Sequence, residues 1–333
     1  MQEEKIRPVT ILTGFLGSGK TTFLNALMAK NPEKRYAIIE NEIGEINVDG
    51  KLVSNNYDQL IELQNGCLCC TLNDDLYGAL DILHQQAASF DELIIECTGL
   101  ALPATVIEPF TVHPIFKKYF PLKRTVCMVD AELIEDQLEE RDEALRQLTS
   151  ADAVVINKTD FVHSEYVMHL RARLGNLNPL AKIFQEEGKG VFPFAQLEKV
   201  SYSIPKTLFS IVKHGKAEST GITKKWGVSH NIHNDITVRT YTFSEEFNFV
   251  HLYLGLSKLV GKHRDKIYRM KGIGYKTDEQ KRIVVQSVGA RIDMDYGGYW
   301  KEDEDRQNTI VFIGKDIDNL HINQLLHELL YIN

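Results

Sequence analysis

The sequence predicts an α/β protein: a first domain on an open, mostly parallel sheet, then a smaller α+β domain of ferredoxin-like kind. Three observations lead there. The chain has 333 residues, enough for two domains at roughly 100–200 residues each. Its first half alternates short, nearly continuous apolar runs with amphipathic stretches, the pattern of strands buried on both faces between helices. A different pattern, richer in consecutive strands, begins after about residue 235.

In order, VTILTG (from Val9), YAIIE (from Tyr36), LIIE (from Leu93), TVCMVD (from Thr125) and AVVIN (from Ala153) read as parallel strands. QLIELQ, ahead of the cysteines, is a further strand. Helices fall between them. One follows Lys20, with Phe23, Leu24, Leu27 and Met28 on one side. Another follows Asn73, with Asp74 and Asp75 in its first turn, where carboxylates favour the helix dipole. A third spans Glu135–Leu148. The pattern loosens after Phe184, so residues 1–190 form the first domain and the glycine-bearing stretch 191–234 a connection. From 235 to 333 the order is β-α-β-β-(β)-β-α, with helices expected on one face of an antiparallel sheet.

Composition narrows the function classes. Hydrophobic residues are 43% and charged residues 25%, as in ordinary globular proteins; this excludes a disordered chain, a collagen and a small disulfide scaffold. No apolar run approaches the roughly 18–20 residues of a membrane span, and MQEEKIRP is too polar for a signal peptide. A cytoplasmic location without membrane partners is the expectation. The net charge of −8 argues against nucleic acid as main partner.

Gly14-Phe15-Leu16-Gly17-Ser18-Gly19-Lys20-Thr21 satisfies G-x-x-x-x-G-K-[ST] between a strand and a helix. Its glycines let backbone N–H groups wrap a phosphate chain, and the following helix presents its positive end to the same charge. Lys20 would neutralise β- and γ-oxygens, Thr21 would ligate Mg²⁺, and Thr22 would contact the α-phosphate side. Asn157-Lys158-Thr159-Asp160 follows the strand AVVIN. One carboxylate can accept both the N1–H and the N2 amino group of guanine; Asp160 is assigned that role. Asn157 would meet the N7/O6 edge, with the Lys158 stem over the base. Adenine lacks that donor pair, so GTP is expected over ATP.

Glu96 ends the strand LIIE three residues before Gly99, which suits a carboxylate holding Mg²⁺ and a glycine near the γ-phosphate. Leu100, not Gln, follows Gly99, so slow intrinsic hydrolysis of GTP and water to GDP and phosphate is expected.

Five cysteines are unevenly placed: Cys67, Cys69 and Cys70 fall within four positions. A reducing compartment favours metal binding or redox chemistry over a disulfide. The helix that follows lowers thiol pKa. Three thiolates with no evident fourth ligand make an open site, suited to handover of Zn²⁺ or another late transition metal. Redox sensing and plain burial are the other readings of the cluster. Glu40-Asn41-Glu42-Ile43-Gly44-Glu45 lies where a switch segment would be. Its carboxylates could supply Mg²⁺ or Zn²⁺ ligands, or form only a solvated loop. His113 is a further candidate ligand against a solvated loop histidine.

GFLGSGKTT, ENEIGE, NGCLCC, IIECTGLALP, MVDAE and NKTD, in this order, resemble the CobW-type metallochaperone GTPases. These include the zinc-regulated GTPase metalloprotein activators and are related to the nickel-insertion GTPases of urease and hydrogenase. The resemblance covers residues 8–185 closely and reaches WKEDEDRQNTIVFIG more weakly. It implies a P-loop GTPase domain, a CobW C-terminal domain, and metal on Cys67, Cys69 and Cys70. Glu40 and Glu45 match acidic switch positions, with Glu42 a lesser candidate. Nucleotide state would control metal transfer to a client metalloprotein. A His-rich loop found near the domain junction of many relatives is reduced here to His214, His230 and His233. A GTPase with redox-sensing cysteines and a non-catalytic, nucleotide-dependent client-binding scaffold are the rival readings. The client and the oligomeric state, a homodimer included, stay open.

Overall fold

The structure is a computed structural model that describes residues 6–40, 59–62, 71–85, 90–202, 236–301, 304 and 306–330. The chain divides into two compact units, residues 1–175 with 181–202, and residues 176–180 with 203–333.

The first unit carries a seven-stranded parallel sheet in the order β3-β2-β4-β1-β5-β6-β7. The strands are β1 (Val9–Gly14), β2 (Tyr36–Glu40), β3 (Gln59–Glu62), β4 (Glu92–Glu96), β5 (Leu122–Asp130), β6 (Ala153–Asn157) and β7 (Lys182–Gln185). β1, β2 and β6 are buried at every position, as expected of parallel strands covered on both faces. β1 is central, between β4 and β5. From β1 the chain passes to β2 on one side, and from β4 it later crosses over β1 to β5 on the other, which places a ligand crevice at the carboxyl ends of these strands.

The helices are α1 (Lys20–Lys30), α2 (Thr71–Gln85), α3 (Pro103–Val112), α4 (Pro114–Tyr119), α5 (Ile134–Glu140), α6 (Asp142–Ser150), α7 (Ser164–Leu177) and the short α8 (Phe194–Leu197). Phe23, Leu24, Leu27 and Met28 of α1 are buried against Leu12, Ile38, Ile94 and Met128 of the sheet. The single helix expected over Glu135–Leu148 is two helices. Arg141 is extended (φ −131°, ψ 114°). Glu139 and Glu140 close the first segment where negative charge opposes the dipole, whereas Asp142 and Glu143 open the second where it is favoured.

Residues 191–202, assigned to the connection because glycines and mixed charges recur over 186–234, pack in the first unit. Phe192, Leu197 and Val200 join the core under α1, and the Phe192 ring sits 5.1 Å from Phe23. Arg124, buried in β5, donates to Leu197 O (2.7 Å) and pairs with Glu198 (2.8 Å), which Lys123 also meets at 2.7 Å. Burial pushes the Glu198 carboxyl up, but the two cations more than offset it and bring it down to about 2. The apolar residues are too widely spaced in sequence to register as a periodic element.

The second unit is an antiparallel sheet in the order β11-β10-β9-β12-β8. Its strands are β8 (Ile236–Phe243), β9 (Ile267–Gly274), β10 (Lys281–Val288), β11 (Arg291–Tyr299) and β12 (Asn308–Lys315). The helix Phe249–Lys262 buries Leu252, Leu256, Leu259 and Val260 against Tyr241, Met270, Val285 and Phe312. Ile322 and Leu326 of the closing helix join the same cluster, so both helices lie on one face, as the α+β reading expects. Asn248 caps the first of them, its side chain accepting from His251 N at 3.1 Å. No described helix is long and apolar enough to cross a membrane.

Candidate functional site

The loop from Gly14 to Thr21 joins β1 to α1 at the carboxyl end of the sheet. Its glycines are set by geometry. Gly19 has φ +94°, and a Cβ there would lie 2.1 Å from Asn157 Nδ2. α1 starts without a side-chain cap and without an acidic residue in its first turn, which leaves its positive end to an anion. The Lys20 side chain is buried, and Nζ donates to Gly14 O (3.0 Å) and Phe15 O (3.4 Å). The buried Ser18 hydroxyl has no hydrogen-bond partner among the described residues.

Thr21 Oγ1 donates to Glu96 Oε1 at 3.2 Å. The two residues are 75 positions apart and meet because β4 lies beside β1. A hydroxyl and a carboxylate oxygen this close are the hard donors that Mg²⁺ takes alongside phosphate and water; the pair fits that ion. Gly99 lies against the phosphate loop, where an added Cβ would come within 2.6 Å of Leu16 N. Cys97 and Cys127 are buried, and burial pushes both thiols up to about 12. Such thiols stay protonated and unreactive at neutral pH.

The N-K-x-D segment leaves β6 in a turn that needs Lys158 at φ 59°. Three contacts hold it. Asn157 Nδ2 donates to Ser18 O (2.9 Å), so this side chain ties the base-side turn to the phosphate loop. Lys158 Nζ pairs with the buried Asp130 carboxylate at 2.7 Å. Thr159 N donates to the buried Glu186 carboxylate (2.7 Å). Asp160 is exposed, its carboxylate open to a ligand. Asp130 and Glu186 receive no role from the sequence. Asp130 ends a strand in MVDAE, and Glu186 follows one, so a carboxylate at a strand's carboxyl end is the signal that could have found them.

Glu40 ends β2, buried, and shares a rung with Glu96 on one side and Glu62 on the other. Neighbouring strands lie about 4.8 Å apart, which places Glu40 beside the Thr21–Glu96 pair along the sheet edge. Cys67, Cys69, Cys70, Glu42 and Glu45 lie outside the described residues. His113, between α3 and α4, is a packing residue: its ring stacks on Phe116 (4.3 Å) and meets Tyr77 at 5.7 Å. Among the described residues no three His, Cys, Asp or Glu side chains gather as a metal site.

Residues 8–185 match the family model described as CobW/HypB/UreG, nucleotide-binding domain. The chain belongs to that family. Residues 236–330 match the Cobalamin synthesis protein cobW C-terminal domain, so both parts of the CobW arrangement are present. The Zinc chaperone YjiA of Escherichia coli is 30% identical over 310 residues, covering 92% of this chain and 93% of the relative. The Zinc chaperone CobW of Pseudomonas aeruginosa is 29% identical, with 96% and 90% covered. The crystal structure of the Zn(II)-bound YjiA GTPase from E. coli superposes with a TM-score of 0.66 at 25% identity, covering 98% of this chain and 99% of that one. A YjiA triple mutant, with one glutamate and two cysteines changed to alanine, is also a Zn(II)-bound structure of the same TM-score. The CobW-family assignment agrees with the sheet order and with the phosphate loop on β1.

Proposed function

We propose that this CobW-family chain is a GTP-hydrolysing metallochaperone. It binds Zn²⁺, or a similar late transition metal, at Cys67, Cys69 and Cys70 and passes it to a client metalloprotein under nucleotide control. The observation that carries the reading is the shared rung of Glu40, Glu62 and Glu96. In sequence, 41–58 with the acidic motif follows β2 at Glu40, and 63–70 with the cysteines follows β3 at Glu62. Both segments follow strands on one side of the Thr21–Glu96 pair, β2 next to β4 and β3 one strand further out. The names of the relatives as zinc chaperones support the choice of metal.

The residues divide the chemistry. The amides of Gly14–Gly19 and the start of α1 hold the phosphates, and Lys20 leaves its carbonyl partners to neutralise β- and γ-oxygens. Asp160 accepts the two guanine donors while Asn157 keeps the base-side turn in register with the phosphate loop. Thr21 and Glu96 would hold Mg²⁺, which would supply charge neutralisation to the phosphates when bound. Water attacks the γ-phosphorus and GDP and phosphate leave. No glutamine stands after Gly99, so turnover without a partner is slow. Loss of γ-phosphate contacts releases the segments those contacts ordered, and thiolate ligands on such a segment change their hold on the metal. Zn²⁺ is cargo in this scheme, held by soft donors that do not compete for Mg²⁺.

The test is a Zn²⁺ titration of the full chain against a thiol-competing chelator, with GDP or a non-hydrolysable GTP analogue bound. The expected result is a difference of at least about fivefold between the two states, within the usual range of coupling energies. Cys69→Ser should weaken both affinities, and Lys20→Ala should abolish hydrolysis. Equal affinities in the two states, unaltered by Cys69→Ser, overturn the proposal. A disulfide formed reversibly in metal-free protein, with no zinc bound, would favour redox sensing.

A further inference from the structure

Gln147 of α6 is one of the most deeply buried polar residues of the first unit, 1% exposed. Its Nε2 donates to Gly99 O at 2.9 Å and to Ala101 O at 3.1 Å. Both acceptors lie in the turn after Glu96, which is closed on itself by Ala101 N donating to Thr98 O (3.1 Å). The turn starts in the sheet, where Cys97 N donates to Leu12 O at 2.8 Å, and it ends at Pro103, the first residue of α3. Its other side is the phosphate loop, where Gly99 leaves no room for a side chain against Leu16 N. Gln147 is therefore the clip that holds the turn from behind.

The clip decides which way the peptide groups face. In a trans peptide the C=O and N–H point in opposite directions. With Gly99 O fixed on Gln147, the Leu100 N–H is turned away from α6. The Thr98 hydroxyl, buried in the same turn, has no hydrogen-bond partner among the described residues. The turn thus keeps donors available on the side away from the clip, and water is excluded from the clip itself, which strengthens its two hydrogen bonds.

We propose that Gln147 is a positioning residue of the GTPase. It acts through Gly99 and holds the 98–101 turn where the γ-phosphate meets it, so it serves recognition of GTP and its hydrolysis but not the binding of GDP. This rests on the GTPase reading above. A nucleoside diphosphate engages the loop Gly14–Thr21 and the guanine turn, neither of which touches Gln147 through a described contact. Only the third phosphate extends toward the turn that Gln147 fixes.

The experiment compares wild type with Gln147→Leu, which keeps the shape and removes both donors, and with Gln147→Glu, which sets an acceptor against two carbonyls. GDP affinity, affinity for a non-hydrolysable GTP analogue, and kcat with KM are measured on the full chain. The expected result is a GDP Kd within about twofold of wild type, with analogue affinity and kcat each lowered about tenfold, the effect of about one to two buried hydrogen bonds. A merely structural role would weaken GDP and analogue alike; that result, or no change in either, overturns the proposal. Amide exchange of residues 98–102 in the unaltered protein gives a second readout should the variants fail to fold. Slower exchange with the analogue than with GDP is expected, and equal exchange overturns the proposal. A wild-type chain that hydrolyses no GTP would instead sink the GTPase reading, before any variant is compared.

Discussion

Asn157 and Gly19 show how much one pair of residues settles. The carboxamide at the end of β6 fills the space that any Cβ on Gly19 would need, and it bonds the carbonyl of Ser18. The phosphate loop and the N-K-x-D turn are in this way one unit, although 139 positions separate the two bonded residues. Asp160 stands outside that lock, and the proposed function gives it the base preference. Asp160→Asn replaces a double acceptor by a group with one acceptor and one donor. GTP affinity should fall roughly 10- to 100-fold, the worth of a charged hydrogen-bond pair, while xanthosine triphosphate, with a carbonyl in place of the 2-amino group, should gain. Competition titrations with both nucleotides check this; unchanged GTP affinity would remove Asp160 from the base site. The N-K-x-D residues are legible in the sequence as a motif. The anchors Asp130, Glu186 and Gln147 are not, because a buried carboxylate or amide acquires its role from a partner that only the fold brings near.

At the scale of elements, β1, β2, β4, β5 and β6 stand where the apolar runs place them. β7 (KIFQ) escapes a reading by pattern because it has only four residues, all partly exposed or exposed. The strap 191–202 escapes it for a related reason: its anchors are three apolar side chains and one carboxylate that meets two cations, with no period. That strap should respond to acid. The Glu198 carboxyl titrates at about 2 in the fold against an ordinary value of 4.5. A lowered carboxylate contributes stability that is present above its unfolded value and is lost as pH falls toward its folded one. The contribution should thus fade between about pH 4.5 and 2. Glu198→Gln should lower Tm at pH 7 modestly and flatten the acid limb of a Tm-versus-pH curve. An acid limb as steep as that of wild type would show that the strap is not held by this ion pair.

For the whole molecule, coupling between nucleotide and metal is the property to measure. Linkage requires the effect to be mutual: if the GTP analogue changes Zn²⁺ affinity by a given factor, Zn²⁺ must change analogue affinity by the same factor. Calorimetric titration of the analogue into Zn²⁺-loaded and metal-free protein should therefore reproduce, within error, the ratio found by chelator competition. A ratio near one in this direction, beside a roughly fivefold effect in the other, would mean that the metal in the two experiments sits at different sites. The second unit, whose helices share one face of an antiparallel sheet, is legible as α+β from its strand-rich order.

Local pattern is sufficient for the fold class, the family resemblance, the phosphate loop and the N-K-x-D turn, since each is a run of contiguous residues whose spacing carries its chemistry. Tertiary structure alone brings Thr21 to Glu96, Asn157 to Ser18 and Gln147 to Gly99, and draws 191–202 into the first core. These contacts depend on strand order and on burial. Strand order arises from how crossovers pack a whole sheet, and burial of a polar group is tolerated only where a distant partner satisfies it. Neither is written in any single stretch of the chain.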